Sequence, residues 1–273
     1  MLPKISVVVP SFNQAQYLAT TLDSILRQNY PNLELIVMDG GSKDGSVEVI
    51  KSYQRSIQYW VSAPDGGQTD ALISGFARST GEIQCWLNSD DQFVGHCLRE
   101  VADYFLRHPT HDVVFGDALW IDAHDNVISW KKEIPFHRFI WLNTFNYIPG
   151  MSTFWRRSLY EKVGGLDRRF NLAMDGDLWI RFAAAGRFGK TRRIWSKMRY
   201  YPEQKNRRLR TKSDAEDAII YGRYGGSTAQ AAVFAKRLAA RSLRVGLKVF
   251  TGCYPLTMRP ALELPHPVAT NNK

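Results

Sequence analysis

The chain has 273 residues, 44% hydrophobic and 12% aromatic, which suits one large α/β domain, alone or with a tail, and excludes a disordered chain. Its net charge of +10 is uneven: residues 1–180 carry 16 Lys+Arg against 21 Asp+Glu, whereas residues 181–273 carry 20 against 5. Cys85, Cys97 and Cys253 form no CxxC pair, which argues against a zinc or disulfide framework and leads us to expect a reducing compartment.

The apolar run before Pro10 spans only five residues, too short for a signal peptide, and nothing approaches the roughly 18 apolar residues of a membrane span. A cytoplasmic protein is therefore expected. Ile5–Val9 is a β-branched run that predicts a buried strand, and residues 14–27 carry apolar side chains at helical spacing. Strands at Leu33–Met38, Ile57–Val61, Ile83–Leu87 and Val113–Phe115 follow, separated by helices at Lys43–Tyr53, Gly67–Arg78 and Gly95–Arg107. This alternation predicts a Rossmann-like α/β fold, a mainly parallel sheet with helices on both faces and ligands beyond the carboxyl ends of its strands. Ala118–Ile121 and Asn126–Trp130 then read as a small antiparallel hairpin, residues 149–155 as a strand and Asp175–Ala185 as a helix.

Three acidic constellations sit where a ligand is expected. Asn88-Ser89-Asp90-Asp91 follows the strand at Ile83–Leu87. Adjacent carboxylates repel unless a cation joins them, and Mg²⁺ commonly shares one or two carboxylates with substrate phosphates; helix capping is the alternative for Asp91. The glycine-rich segment Asp39–Ser46 ends the second strand but lacks the GxxxxGK[ST] pattern of a phosphate loop. A turn and helix cap account for Asp44, while Asp39 is placed to accept a hydrogen bond from a base edge. Asp175 and Asp177 open a helix, where its dipole favours them, and where a general base could equally be aimed into a site.

Taken together, Ile5–Asn13, Ser24–Gln28, Leu33–Ser46, Trp86–Asp91, Gly164–Asp167 and Asp175–Trp179 resemble the family 2 glycosyltransferases over about residues 4–190. The resemblance implies a GT-A fold and transfer of a sugar from a nucleotide diphosphate donor, a UDP- or dTDP-sugar, to a saccharide or lipid-linked hydroxyl with inversion. It implies Asp39 at the nucleobase, Asp90 on the donor ribose side, Asp91 on Mg²⁺ or Mn²⁺, Asp175 as base, and Pro10 and Phe12 against the donor. Pro64–Ala71 resembles a subgroup in which Gln68 and Asp70 line the donor pocket. Met174 departs from the family's usual Glu, and Leu72-Ile73 from its frequent Arg-Asn.

The implied organisation is a catalytic domain over 1–228, with a nucleotide-sugar half (1–116) and an acceptor half (117–228), and a basic helix and tail over 229–273. Cations at Lys205, Arg207, Arg208, Arg210 and Lys212 either stabilise a departing diphosphate or form an exposed loop. Residues 229–250 read as a helix with Arg237, Arg241, Arg244 and Lys248 on one stripe. Such a helix lies on an anionic membrane surface, making the protein peripheral, or docks on the domain. A nucleotidyltransferase is disfavoured because Pro10-Ser11-Phe12-Asn13-Gln14 holds neither Gly nor a cation. A binding module without turnover stays open through Met174, and no nucleic-acid recognition motif is present.

Overall fold

The computed structural model describes residues 1–225 and 230–253; the end of the expected tail, 254–273, lies outside the described residues. The strands β1 (Ile5–Ser11), β2 (Leu33–Asp39), β3 (Tyr59–Ser62) and β4 (Ile83–Trp86) alternate with α1 (Ala15–Leu26), α2 (Ser46–Tyr53) and α3 (Gln68–Phe76). They pair in parallel in the order β3-β2-β1-β4. The chain steps outward from β1 to β3, then returns past both to β4. Right-handed crossovers therefore put α3 on the face opposite α1 and α2. The carboxyl ends of β1, β2 and β4 meet where the strand order reverses, which is where a sheet of this kind opens a ligand crevice.

The second half adds β5 (Gln92–Phe93), α4 (Cys97–Arg107), β6 (Val113–Ile121), β7 (Val127–Lys131), α5 (Arg138–Asn143), β8 (Thr153–Arg156), α6 (Arg157–Lys162), α7 (Met174–Ala185) and β9 (Phe188–Arg199). They extend the sheet as β4-β8-β6-β9-β5, with β7 on β6 as the expected antiparallel hairpin. The expected strands at Val113–Phe115 and Ala118–Ile121 are one strand. It passes through Gly116, where a Cβ would stand 2.7 Å from the Arg193 carbonyl oxygen. The strand β9 is new to the sequence reading: its cations hide the apolar alternation, and the structure pairs three of them, Lys190 with Asp117, Arg193 with Glu100 and Arg199 with Asp125.

Then come α8 (Lys205–Arg208), α9 (Arg210–Tyr224) and α10 (Gln230–Phe250). The first two were not foreseen, and the third matches the expected helix at 229–250 apart from residue 229, which lies outside the described residues. Among the described residues no helix is long and apolar enough to cross a membrane.

An aromatic wall joins the two halves. Trp179 of α7 stacks on Trp86 of β4 at 5.5 Å between ring centroids and 5° between planes, and Trp155 of β8 packs against both. Residues four apart share a helix face, so seating Trp179 on β4 carries Asp175 toward the carboxyl end of the same strand.

Candidate active site

The Asp90–Asp91 pair lies just beyond β4, 7% and 3% exposed. Asp91 accepts the Arg199 backbone N–H at 2.7 Å and the Asn88 side-chain amide at 3.1 Å. Asp90 accepts the Tyr201 hydroxyl at 2.9 Å. Burial and the neighbouring Asp90 charge push Asp91 well above the usual carboxylate range, and burial raises Asp90 as well. The pair is thus short of positive charge.

The nearby cation, Arg199, is 1% exposed and turned to other work. Its guanidinium donates to the carbonyls of Asp90, Asp122 and Ala123 and to the Asp125 carboxylate, and it lies 4.2 Å over the Tyr17 ring. Among the described residues no three His, Cys, Asp or Glu side chains cluster as a metal cage. Two desolvated oxygen ligands with spare lone pairs fit a hard divalent ion that completes its shell with water and phosphate oxygens.

A hydrogen-bond chain ties this pair to the basic segment, which the structure makes helical, as α8 and the start of α9, where a loop was the alternative. Lys205 Nζ donates to Gln68 Oε1 at 3.4 Å, Gln68 Nε2 to Asn88 Oδ1 at 2.8 Å, and Asn88 Nδ2 to Asp91. Lys205 also donates to the Asn171 carbonyl and side chain, and burial lowers its pKa to about 8. Two other cations of this segment point elsewhere: Arg207 covers the Tyr200 ring and Arg210 pairs with Asp214. Gln68 therefore reaches the carboxylates, whereas Asp70, two residues on in the same helix, faces Arg168 at 3.4 Å.

The base-side residues gather at the ends of β1 and β2. Asp39 is 2% exposed and accepts from Gly41 N, Ser42 N, Ser42 Oγ and Ser62 Oγ. This holds its carboxylate in one orientation. Pro10 is buried in β1 opposite Met38, and Ser11, opposite Asp39, has a buried hydroxyl without a partner among the described residues. Phe12 is 60% exposed, unusual for a large aromatic, and its ring stands beside Gly40 together with the Asp65 carboxylate. An exposed ring beside oriented acceptors offers a planar base a stacking surface and an edge.

The α7 carboxylates have different surroundings. Asp175 Oδ2 accepts the Asn146 amide at 2.8 Å and Oδ1 its neighbour Gly176 N, leaving lone pairs on both oxygens. Asn146 is itself held through Oδ1 by Trp141 Nε1 and Ile148 N. Burial raises the pKa of Asp175, which favours proton acceptance. A Cβ on Gly150 would lie 3.9 Å from Asp175 Oδ2 and 4.0 Å from the Trp86 ring, so this carboxylate borders the end of β4. Asp177 is fully buried, gripped by two Arg181 nitrogens, by Arg223 and by the Tyr224 hydroxyl. Met174 packs inward, its sulfur 2.8 Å from the Thr69 hydroxyl.

Sequence reasoning missed Arg199, Tyr201 and Asn146. The first two end or follow the unrecognised β9, and Asn146 lies in the irregular segment before β8.

Comparisons with known proteins agree with this geometry. The model of glycosyl transferase family 2 matches residues 6–164. The chain is 32% identical over 187 residues to an uncharacterized glycosyltransferase of Mycobacterium tuberculosis, covering 66% of this chain and 69% of that one. It is 27% identical over 183 residues, with the same coverage of each, to a PGL/p-HBAD biosynthesis glycosyltransferase of Mycobacterium bovis. Among solved structures it resembles residues 1–349 of S. aureus TarS in complex with UDP-GlcNAc, with a TM-score of 0.65, 16% identity, and 93% of this chain and 76% of that one covered. Against a longer TarS chain it spans 43% of the length. It also resembles a mannosyltransferase of Pyrobaculum calidifontis in complex with GDP-Man and Mn²⁺, with a TM-score of 0.61, 19% identity, and 89% and 70% covered.

Proposed function

Because this chain belongs to glycosyl transferase family 2, a glycosyltransferase family of GT-A fold, we propose that it moves a sugar from a UDP- or dTDP-linked donor to a hydroxyl of a glycan or lipid-linked acceptor, in one inverting displacement. The observation that carries this reading is the buried, charge-deficient Asp90–Asp91 pair at the switch point of the sheet. Structures similar to this one hold UDP-GlcNAc or GDP-Man with Mn²⁺, which supports a nucleotide-sugar donor and a divalent ion.

In this reading Asp91 holds Mg²⁺ or Mn²⁺, which supplies charge to the diphosphate leaving group. Asp90 faces the ribose side, and Asp39, Pro10 and Phe12 receive the nucleobase. Gln68 keeps Asn88 and Asp91 aligned, with Asp70 at the rim of the same pocket, and Lys205 adds a cation beside the diphosphate. The acceptor oxygen attacks the anomeric carbon as the bond to the diphosphate oxygen breaks. Asp175 takes the hydroxyl proton, so the products are an inverted glycoside and a nucleoside diphosphate. Asp177 cannot serve as base while Arg181 and Tyr224 occupy it.

The test is a panel of nucleotide-sugars scored by thermal stabilisation with Mn²⁺ or with EDTA. A ligand at a hundred times its Kd adds about 2.7 kcal/mol, and Asp91→Asn abolishes the Mn²⁺-dependent part. Equal UDP affinity in EDTA and in Mn²⁺ contradicts the metal assignment.

A further inference from the structure

The helix α10 is docked by its charged side. Arg244 makes two hydrogen bonds, 2.8 and 2.9 Å, to the buried Glu133 carboxylate, and its guanidinium lies 4.6 Å over Phe145. Lys248 reaches the same carboxylate at 3.2 Å, and Ala240 is fully buried. Two of the four cations expected on one outward stripe are therefore turned inward. What faces outward instead is apolar: Phe234, Leu238, Val245 and Val249 are 71%, 58%, 48% and 63% exposed. At spacings of 4, 7 and 4 residues these four fall within one narrow stripe of the helix. A surface helix of a soluble domain buries such a stripe; here the polarity is reversed.

We propose that α10 is an interfacial helix whose Phe234, Leu238, Val245 and Val249 stripe lies in the headgroup region of an anionic lipid surface, with Arg237 and Arg241 against the phosphates. Charge selects this occupant. The helix holds five Lys or Arg and no Asp or Glu, and Arg237 and Arg241 remain exposed beside the stripe. Arg241 borders the stripe, between Leu238 and Val245 along the helix. A second copy laid on the same face would bring like charges into a dry interface. The segment 254–273 holds Arg259, Lys273 and Glu263, and so offers no anionic complement. Anionic headgroups supply the missing charge while the acyl boundary accepts the apolar side chains.

The placement also bears on the proposed lipid-linked acceptor. Arg244 of α10 rests on Phe145, the neighbour of Asn146 that holds Asp175. A helix held at a lipid surface would thus be one residue removed from the segment that positions Asp175. Lipid binding does not depend on that reading, and the test separates the two.

The full chain is floated with vesicles of phosphatidylglycerol and phosphatidylcholine, or of phosphatidylcholine alone, at low and high salt. The expected result is binding to the anionic vesicles that falls with salt. Replacing Leu238, Val245 and Val249 by Gln lowers it about tenfold or more. Arg237→Gln with Arg241→Gln lowers it roughly thirtyfold, two cations' worth, and flattens the salt dependence. Both variants keep the wild-type urea midpoint and UDP affinity, because the substituted side chains are exposed and outside the donor site. The proposal is overturned if wild type ignores anionic vesicles at low salt, or if the triple Gln variant binds as well as wild type. It is equally overturned if wild type is a lipid-free dimer that the triple variant makes monomeric.

Discussion

Arg199 organises the back of the donor site, and Arg199→Met isolates its contribution. Methionine keeps most of the apolar stem but removes every side-chain donor. The buried Asp90 carbonyl and the half-buried carbonyls of Asp122 and Ala123 lose a charged partner at 2.8–3.1 Å. Hydrogen bonds to charged groups contribute about 1.5–3 kcal/mol each, yet neighbouring terms are not additive. The Asp125 carboxylate is 48% exposed and rehydrates once freed, so its loss adds little. The expected cost is about 2–4 kcal/mol, from carbonyls that lose a charged donor, and a large part of a typical total stability of about 5–15 kcal/mol. Equilibrium urea unfolding reads it as a lower midpoint at unchanged slope. The variant also loses the guanidinium on the Asp90 carbonyl and the packing on Tyr17, so UDP affinity with Mn²⁺ falls too. Asp125→Asn costs under about 1 kcal/mol in the same assay. A loss below about 1 kcal/mol for Arg199→Met refutes the reasoning that these carbonyls depend on it.

Asn146→Ala removes the amide that holds Asp175 Oδ2. With that hydrogen bond gone, the pKa of the carboxyl rises further; kcat falls about tenfold, the acid limb of the kcat–pH profile moves to higher pH, and UDP affinity is kept. An unmoved acid limb contradicts the positioning role. Asp217, half-buried on α9, is pushed up to about 7 by burial and then by the Asp175 charge. The folded chain therefore keeps a proton that the unfolded chain loses between about pH 4 and 7, and stability falls as pH rises through that window. Asp217→Asn removes this dependence, gaining about 1–2 kcal/mol at pH 8 and almost nothing at pH 4. Urea midpoints that shift equally at both pH values contradict the assignment.

The parallel half of the fold was legible because its strands are short, mostly apolar runs closed by turn residues, as in Ile5–Ser11 before Asn13 and Leu33–Asp39 before Gly40-Gly41. The candidate ligand end was legible for the same reason: Asp39, Asp90 and Asp91 directly follow or close those runs, and the structure buries all three. The strand β9 was not, because Lys190, Arg192, Arg193, Lys197 and Arg199 interrupt the apolar pattern, and partners such as Asp117 and Asp125 lie more than seventy residues away. The missing strand concealed Arg199, and with it the hydrogen bonds that orient Asp91. Asn146 gave no signal, since a single Asn in an irregular segment reads as a turn residue. The face by which α10 docks could not be read either: Glu133 chooses it from 111 residues away, turning Arg244 and Lys248 inward against the local pattern.

In the proposed reaction Asp175 takes the acceptor proton and Asp177 does not. Single-turnover transfer is measured for Asp175→Asn and Asp177→Asn, with the donor identified by the stabilisation screen and UDP affinity recorded for each. Asp175→Asn is expected to lose about a hundredfold or more in rate at wild-type UDP affinity and urea midpoint. Asp177→Asn keeps most of its rate and instead unfolds at lower urea, because Arg181 and Arg223 lose their buried partner. Two folded, donor-binding variants with the opposite order of rates would contradict this assignment.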